Sequence, residues 1–393
     1  MKKNRRSIGV LTSGGDCPGL NAVIRGIVKT ASYLGYRVVG FELGFEGLAY
    51  PLRYQILDMK NTSGILNHGG TILGATNKGR FGATKGISDR IVIEPALLAE
   101  AKKNIEELEI DGLICIGGDG SLAIAQQLLE NEIPVIGVPK TIDNDLSSTA
   151  FSFGFDSAIA CATDALDRLH TTASSHGRVM VLEVMGRHAG WIALHSGIAG
   201  GGDVILIPEI PWTFENVCAK IVHRQNMGKQ FTLVVVAEGA ELPGGTLVVQ
   251  ESAINAQVRL GGLGEIVAKE IQTRMGVEAR CVVLGHLQRG GSPTPFDRAL
   301  ASQYGAHAVR LVEEERFGEM VTYNPPHVGS IAISKAIHRL STVDPQGSAV
   351  VAAKALGIAF GDTPGYTNPF PQSHVLAKAA AEKYNRASMN SGL

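Results

Sequence analysis

The turn at residues 117–121, Gly-Gly-Asp-Gly-Ser, constrains this chain more than any other stretch of its sequence. An apolar run at 112–116 leads into the turn, and a helix-like run at 122–130 leads out of it. A glycine turn between a strand and a helix presents backbone N–H groups to an anion, and small residues let a phosphate approach the main chain. Asp119 is unexpected beside an anion unless a divalent cation lies between them. The turn therefore predicts a metal–phosphate site.

The same order of strand, glycine turn and helix recurs along the chain. An apolar run at 8–11 ends in a turn that contains Gly15, and a helical pattern follows at 20–34. This alternation indicates parallel sheets with helices on both faces. Because the chain has 393 residues, too many for one ordinary core, two α/β domains are expected. Further apolar runs predict the remaining strands: 37–41, 134–138, 179–184, 204–207, 231–236 and 281–284.

The composition excludes several classes of protein. Charged residues make up 19% of the chain, below the roughly 25% of average soluble proteins, and burial of surface in a homo-oligomer is the simplest explanation. A net charge of −1 provides no field that would attract nucleic acid or a membrane. The five cysteines form no CxxC pair, and no apolar run approaches the ~18 residues of a membrane span. These features predict a reduced, cytoplasmic protein without a zinc cluster.

Two carboxylates, Asp143 and Asp145, follow the strand at 134–138 within the sequence Lys-Thr-Ile-Asp-Asn-Asp, which begins at Lys140. A metal, a cation or a catalytic task must offset their repulsion and desolvation, although Asx-turn chemistry is the structural alternative. Because open α/β sheets bind ligands at the carboxyl ends of their strands, this position favours a functional role.

Arginines and histidines lie near the ends of the strands predicted at 179–184, 204–207, 231–236 and 281–284, and they predict recognition of a phosphorylated substrate. Lys78 and Arg80, in the glycine-rich loop at 69–81, either hold a polyphosphate or remain solvated surface residues. The polar residues near the ends of the strands predicted between 179 and 284 are Arg178, Arg187, His188, Glu238, Arg280, His286 and Arg289.

The signatures GxxxxGK[ST], HExxH and GxSxG are missing from the sequence, which removes most support for P-loop NTPases, zincins and serine hydrolases. Residues 118–123 satisfy the relaxed dinucleotide pattern GxGxxA after a strand, so an NAD-dependent oxidoreductase is an alternative. A dehydrogenase needs neither the acids at 143 and 145 nor so many arginines. A catalytically silent paralogue would have lost some of these acids and arginines, and all of them are present.

Five blocks together resemble the phosphofructokinase family, in the family's order and over roughly residues 8 to 300. The resemblance implies two Rossmann-like three-layer α/β/α domains with mainly parallel sheets and the active site in the cleft between them. Residues 1–154 and about 288–335 would form the phosphoryl-donor domain, and about 155–287 and 336–393 the fructose 6-phosphate domain. The blocks are GGDCPGLN at 14–21, GGDGS at 117–121, TIDND at 141–145, MGRH at 185–188 and GHLQRGGSP at 285–293.

The resemblance also implies Mg²⁺-dependent phosphoryl transfer to the 1-hydroxyl of fructose 6-phosphate, a step of glycolysis. By motif, Asp143 would be the base, supported by Thr141 and Asp145. Arg187 would neutralise the transferring phosphoryl group, and Asp119 would hold the metal. The donor would be held by Gly15, Lys78 or Arg80, Gly118, Asp119, Gly120, Ser121 and Lys140. The sugar phosphate would be held by Thr141, Asp143, Met185, Gly186, Arg187, Glu238, His286 and Arg289, with Arg178 and Arg280 from a neighbouring subunit.

Two positions in the family report the phosphoryl donor. A small residue at Gly120 leaves room for the α-phosphate and adenosine of ATP, whereas an Asp there would repel the α-phosphate, as in pyrophosphate users. Lys140 favours the other donor, because a lysine is usual there in pyrophosphate enzymes and binds a compact anion. Gly120 is given more weight than Lys140, because steric exclusion of a donor is harder to overcome than the presence of one extra cation, so ATP is favoured. The pair Gly120 and Lys140 resembles that of ATP-using members of the pyrophosphate-like branch. A homotetramer is expected rather than a dimer, and allosteric control is left open.

Overall fold

The computed structural model describes residues 6–76, 79–81, 92–250, 259–337 and 340–363. A large sheet gathers strands from both ends of this part of the chain: β1 (Ser7–Thr12), β2 (Arg37–Phe41), β3 (Tyr54–Leu57), β4 (Ile110–Gly117), β5 (Val135–Pro139), β14 (Glu319–Asn324) and β15 (His327–Ala332). Their order is β15-β14-β5-β4-β1-β2-β3. The central strands are parallel, and the edge strands β3 and β15 are antiparallel to their neighbours.

A second sheet is parallel throughout, in the order β13-β6-β8-β7. Its strands are β6 (Val179–Val184), β7 (Val204–Leu206), β8 (Thr232–Ala237) and β13 (Ala279–Val283). Two short antiparallel pairs lie apart from it: β9 (Glu241–Leu242) with β10 (Thr246–Leu247), and β11 (Val249–Gln250) with β12 (Arg259–Leu260). The parallel α/β fold class expected from the sequence is confirmed, whereas the antiparallel edges of the large sheet were not foreseen.

The described α-helices are α1 (Leu20–Tyr33), α2 (Pro95–Glu107), α3 (Asp119–Glu130), α4 (Phe155–His176), α5 (Trp191–Ala199), α6 (Phe214–Asn226), α7 (Leu263–Met275), α8 (Pro295–Glu313), α9 (Ile333–Ala336) and α10 (Ser348–Ala355). Short 3₁₀ helices occur at Gly44–Leu48, Ile65–Asn67 and Gly285–Arg289. No helix within the described residues has both the length and the apolar character needed to cross a membrane.

Helices cover both faces of the large sheet. On β4, Ile114 and Ile116 face one core, which includes residues of α1 and α8. The alternate residues Leu113 and Cys115 face a second core, which includes residues of α2 and α3. This alternation follows from the period of two in a strand. The first core extends into the second sheet through α4 and α5, so one continuous apolar core joins the two sheets.

The large sheet places three loops side by side. From β1 the chain passes to β2 on one side, while β4 pairs with β1 on the other side. Such a switch in strand order opens a crevice at the carboxyl ends of the strands. Thr12 pairs with Ile116, and Gly117 pairs with Pro139. The loops that follow β1, β4 and β5 therefore meet at one edge.

The strands of the large sheet lie within residues 7–139 and 319–332, and those of the second sheet within 179–283. The predicted division into a donor domain and a fructose 6-phosphate domain assigns the two sheets to different domains. Of the segment 336–393 in that division, residues 338–339 and 364–393 lie outside the described residues. The assignment of a ligand to each domain stays a prediction.

Candidate active site

Asp143 lies where the two sheets meet. It follows β5, and its side chain is only 4% exposed. Its Oδ2 is 3.8 Å from Nε of Arg187 and 3.7 Å from Nη2 of Arg289. Its Oδ1 is buried and has no hydrogen-bond partner among the described residues. A buried carboxylate with an unpartnered oxygen can accept a proton from a group placed beside it.

The loop around Asp143 is held by a buried hydrogen-bond network. The backbone N–H of Asp143 donates to Thr141 Oγ1 at 3.0 Å, and Ser152 Oγ donates to the carbonyl of Thr141 at 2.7 Å. Asn144 adopts a left-handed φ of 52°, a region that asparagine tolerates better than most residues. Its Oδ1 accepts from the N–H of Ser152 at 3.0 Å. The sequence did not single out Asn144 or Ser152, because their roles depend on a loop that closes on itself.

Three carboxylates influence one another in this crevice. Burial raises the pKa of Asp145, the carboxylates of Asp143 and Asp119 raise it further, and Thr141 and Arg187 oppose the shift. Such mutual repulsion is offset by a divalent cation with oxygen ligands. No group of three or more His, Cys, Asp or Glu within the described residues is arranged to hold a metal. The neighbouring carboxylates of Asp119, Asp143 and Asp145 are of the kind that Mg²⁺ uses, because it binds through one or two carboxylates and completes its shell with phosphates and water.

The turn after β4 leaves space beside the start of α3. The helix begins at Asp119, and Gly118 at its N-cap has no side chain to cap it. A Cβ on Gly120 would meet no described atom within 4 Å, whereas a Cβ on Gly117 would lie 2.3 Å from Cβ of Ser121. Ser121 Oγ donates to Ser13 Oγ at 2.8 Å, which ties this turn to the turn after β1. An anion can reach the first-turn N–H groups of α3 from the open side at Gly120.

A cavity of about 390 Å³ opens beside the turn after β1 and is lined by Gly15, Asp16, Thr71, Gly74 and Ala75. Thr12 Oγ1 lies 2.9 Å from Thr71 Oγ1 and donates to the carbonyl of Gly74 at 3.1 Å. These contacts hold the wall at 71–75 against the end of β1. The sequence identified Gly15 but not the wall, and the only signal for it was the density of glycines at 69–74.

The two predicted donor cations in the described part of the chain differ in placement. Lys140 is only 8% exposed, and its Nζ would lie 2.9 Å from a Cβ on Gly14, so its charge lies over the turn after β1. Arg80 does not line the cavity. Its Nε lies 3.1 Å from Oε2 of Glu46, and Nη2 donates to the carbonyl of Tyr50 at 3.1 Å. Lys78 lies outside the described residues.

The second sheet contributes the opposite wall. Glu238 follows β8, and its Oε1 accepts from the backbone N–H of Arg187 at 3.2 Å. Burial raises the pKa of Glu238 to about 7, and the negative charge of Asp143 raises it further. The hydrogen bond from the N–H of Arg187 and the positive charge of Arg289 oppose this shift. Arg187 itself has a left-handed φ of 50°. A Cβ on Gly239 would lie 1.6 Å from the carbonyl oxygen of Arg187, so the turns after β6 and β8 pack directly on each other.

The remaining predicted residues of this wall lie close to these turns. Met185 packs against the main core, and Gly186 has a φ of 143°, which only glycine adopts readily. His188 is exposed beside Arg187, and His286 is exposed on the 3₁₀ helix that carries Arg289. They follow the carboxyl ends of β6 and β13, as Glu238 follows that of β8.

Arg178 and Arg280 lie at the other end of the second sheet. Arg178 immediately precedes β6, and Arg280 is the second residue of β13. Since β6 spans six residues, its two ends are about 17 Å apart. Both arginines pair with Glu278, at 2.7 and 2.8 Å. Of the four predicted arginines, Arg187 and Arg289 therefore converge on Asp143 within one chain, and the other two do not.

Fold and site together define an α/β protein with two sheets and, between them, a crevice lined by glycine turns, carboxylates and arginines. A family model described as Phosphofructokinase matches residues 7–312. The chain is 52% identical over 362 residues to the ATP-dependent 6-phosphofructokinase of Chloroflexus aurantiacus, covering 92% of this chain and 99% of the relative. It is 48% identical over 344 residues to the pyrophosphate–fructose 6-phosphate 1-phosphotransferase of Streptomyces coelicolor, covering 86% and 96%.

Among solved structures, phosphofructokinase from Saccharomyces cerevisiae aligns with a TM-score of 0.73 and 31% identity. The alignment covers 84% of this chain and 44% of the yeast chain, so this chain spans less than half of that longer one. The chain belongs to the phosphofructokinase family. The resemblance stated from the five sequence blocks is thereby confirmed.

Proposed function

We propose that the protein is an ATP-dependent 6-phosphofructokinase, which transfers the γ-phosphoryl group of ATP to the 1-hydroxyl of fructose 6-phosphate and forms fructose 1,6-bisphosphate and ADP in glycolysis. The observation that carries this proposal is the buried Asp143, whose Oδ1 is unpartnered among the described residues and whose Oδ2 faces Arg187 and Arg289. The NAD-dependent alternative loses its support, because its GxGxxA match lies inside the span of the family match.

The geometry suits phosphoryl transfer, which depends on positioning and charge neutralisation more than on covalent chemistry. Asp143 accepts the proton of the sugar hydroxyl as the oxygen attacks phosphorus. Arg187 stabilises the charge on the transferring group. Burial lowers the pKa of Arg187, but the carboxylates of Asp143, Asp119 and Asp145 raise it more, so the guanidinium stays charged.

The donor lies along the turns after β1 and β4. Gly15, Gly118, Gly120 and Ser121 surround it with backbone N–H groups and a hydroxyl, and the open side at Gly120 accepts the α-phosphate. When bound, Mg²⁺ supplies charge neutralisation of the phosphates, and Asp119 would hold it with the donor. Arg289, Glu238 and His286 hold the sugar phosphate on the opposite wall, together with Met185 and Gly186.

The deciding experiment supplies purified protein with fructose 6-phosphate, Mg²⁺ and either ATP or pyrophosphate. We expect fructose 1,6-bisphosphate with ATP, and turnover with pyrophosphate alone would refute the choice of donor. Asp143→Ser should lower kcat by orders of magnitude with little change in KM, since only proton transfer is lost. A near-normal kcat would remove Asp143 as the base.

Pyrophosphate is the second candidate donor, favoured by Lys140. Its ammonium group lies over the turn at Gly14, where a compact anion would bind, and the Streptomyces coelicolor relative carries a pyrophosphate name. If ATP is the donor, Lys140→Met should weaken donor binding moderately and leave ATP preferred. A wild-type enzyme that prefers pyrophosphate and loses that preference in Lys140→Met would favour the second candidate.

We also propose a homo-oligomer, a tetramer rather than a dimer, in which Arg178 and Arg280 complete a neighbour's sugar-phosphate site. Sedimentation velocity reports the mass of the assembly. Mixing Asp143→Ser subunits with Arg280→Ala subunits provides a sharper test, because a mixed interface contains one site with both native residues. Recovery of activity on mixing supports the shared site, and no recovery in a proven mixed oligomer contradicts it. The cytoplasmic location is proposed with the glycolytic role.

A further inference from the structure

The start of α4 is capped by another helix. Gly154, the N-cap residue of α4, has no side chain, and the first-turn N–H groups of a helix need partners. Asp297, in the first turn of α8, is fully buried. Its Oδ2 accepts from the backbone N–H of Ser157 at 2.8 Å and from Ser157 Oγ at 2.6 Å. A carboxylate of one helix therefore supplies the cap that the other helix lacks.

The capping is reciprocal. Thr294, the N-cap of α8, donates its N–H to Ser157 Oγ at 3.0 Å and its hydroxyl to Oδ2 of Asp156 at 2.5 Å. Its Oγ1 also accepts from the N–H of Asp297 at 3.3 Å. Each hydroxyl donates once and accepts once, so the four residues form a closed network. We call this network the α4–α8 junction.

The junction is linked to Arg289 by a short connection, residues 290–294. Ser292 Oγ donates to the carbonyl of Asn67 at 2.8 Å. Arg298 of α8 donates to the carbonyl of Pro293 at 2.7 Å and to Ser292 Oγ at 3.0 Å. A Cβ on Gly69 would lie 2.2 Å from the carbonyl oxygen of Gly291. The connection is therefore anchored along its length, so a displacement of α8 would also displace the 3₁₀ helix that ends at Arg289.

The donor turn rests on the same junction from the other side. Cys17, in the loop after β1, is fully buried and lies 3.4 Å from the carbonyl oxygen of Phe153. A Cβ on Gly154 would come within 2.2 Å of Cys17 Sγ. The start of α4 thus contacts the donor turn directly, while Ser157 of the same helix holds the start of α8.

We propose that Asp297 and Ser157 are positioning residues for phosphoryl transfer, which hold Arg289 at its place opposite Asp143 through the α4–α8 junction. The proposal rests on the function proposed above, in which Arg289 binds the sugar phosphate. Neither residue touches the reacting groups. Loss of the junction lets α8 and the connection shift relative to α4, and a misplacement of about 1 Å costs as much as ~100-fold in rate.

The test compares Asp297→Ala, Asp297→Asn and Ser157→Ala with a matched loss of a helix cap elsewhere. Thr213 caps α6, where its Oγ1 accepts from the N–H of Asn216 at 3.2 Å, so Thr213→Ala is the control. We expect Asp297→Ala to lower kcat/KM for fructose 6-phosphate about 10- to 100-fold. Asp297→Asn keeps an acceptor for Ser157 and should retain more activity than Asp297→Ala. Thr213→Ala should lower Tm and leave kcat/KM unchanged.

A double-mutant cycle with Arg289→Ala separates positioning from general stability. If the junction acts through Arg289, Asp297→Ala should add less than about twofold to the loss in an Arg289→Ala background. If Asp297→Ala does not fold, Ser157→Ala takes its place in the cycle, because it leaves the bond from the Ser157 N–H to Asp297 intact.

Three results would overturn the proposal, and they point to different errors. Additive losses in the cycle, or junction variants with wild-type kcat/KM and a lowered Tm, mean that the junction only stabilises the fold. An Arg289→Ala variant with wild-type kcat/KM removes Arg289 from the proposed function as well. The outcome of this test does not depend on the identity of the phosphoryl donor, because the double-mutant cycle is run with whichever donor supports turnover.

Discussion

Substitution of Gly120 by aspartate tests the donor assignment most directly. Apart from its chain neighbours and its own helix, a Cβ at this position would meet no described atom within 4 Å, so the Cβ of the new side chain is accommodated. Gly120 is the second residue of α3, where a negative charge stabilises a helix by about 0.3–1 kcal/mol. Replacing a helical glycine adds roughly up to 1 kcal/mol. Repulsion from the neighbouring carboxylate of Asp119 opposes these gains, so we expect Gly120→Asp to fold, and its free energy of unfolding is measured beside its activity to separate loss of binding from unfolding.

The size of the expected loss follows from the charge that the variant places beside the α-phosphate. Two like charges 4 Å apart repel by about 1 kcal/mol in water and about 4 kcal/mol at an effective dielectric constant of 20. Gly120 is partly exposed, so the repulsion falls between these limits. We expect kcat/KM for ATP to fall roughly 5- to 1,000-fold, since 1.4 kcal/mol corresponds to about a tenfold change.

The assay measures fructose 1,6-bisphosphate formation with ATP and with pyrophosphate for the wild type, Gly120→Asp and Gly120→Asn. Asparagine has the size of aspartate without its charge, so the difference between the two variants isolates the electrostatic part. A Gly120→Asp variant that uses ATP within twofold of the wild type, with an unchanged free energy of unfolding, would refute the placement of the α-phosphate at this turn.

Three further outcomes are expected. Glu238 has a pKa raised to about 7 and is a stronger acceptor for sugar hydroxyls when ionised, so kcat/KM for fructose 6-phosphate should fall as pH drops through 7. Glu238→Gln should remove that step, and its persistence would exclude Glu238 as the cause. The folded-state pKa of Asp297 is raised by burial from its ordinary 3.8 to about 6, so the folded protein binds this proton more tightly and loses stability as pH rises from 4 to 6. Urea unfolding should show the wild type losing about 3 kcal/mol relative to Asp297→Asn over that range, and a constant difference would contradict the shift. Chelation with EDTA should abolish turnover until Mg²⁺ is restored, with Asp119→Ala requiring a higher Mg²⁺ concentration; an unaltered requirement would remove Asp119 from the metal site.

Much of the fold was predictable because the signals are local. Continuous apolar runs, some of them ending in glycine turns, located β1, β2, β4, β5, β6 and β8 within one or two residues. Strands β14 and β15 were missed. The edge strand β15 is only half-buried, and β14, which lies between β15 and β5, has three buried residues, so neither has the continuous apolar run of a central parallel strand. The last two turns of α4, which ends at His176, are largely polar and exposed, so no amphipathic pattern marks the end of this helix in the sequence.

The candidate site was predictable as a set of residues but not as an arrangement. Glycine turns and paired acids are chemical signals that each lie in one short segment, so Asp119 and Asp143 were identified from their neighbours alone. The resemblance to the family then singled out Gly120 and Lys140. The contribution of Asn144, Ser152 and the wall at 71–75 required knowledge of which loops close on one another. Those contacts involve uncharged polar groups that occur in any surface loop, so no sequence pattern marked them.

The sequence by itself determined the alternation of strands and helices, the glycine turns after β1 and β4, and the family, because each of these signals is carried by residues that are close together in the chain. The tertiary structure decided which of the charged groups converge. It brings Arg187 and Arg289 to Asp143, places Arg178 and Arg280 at the far end of the same sheet, and leaves open space at Gly120. The physical reason is that strand order and loop packing are long-range outcomes of core burial. The sequence pattern of one segment therefore does not specify which side chain from another segment will face it across the crevice.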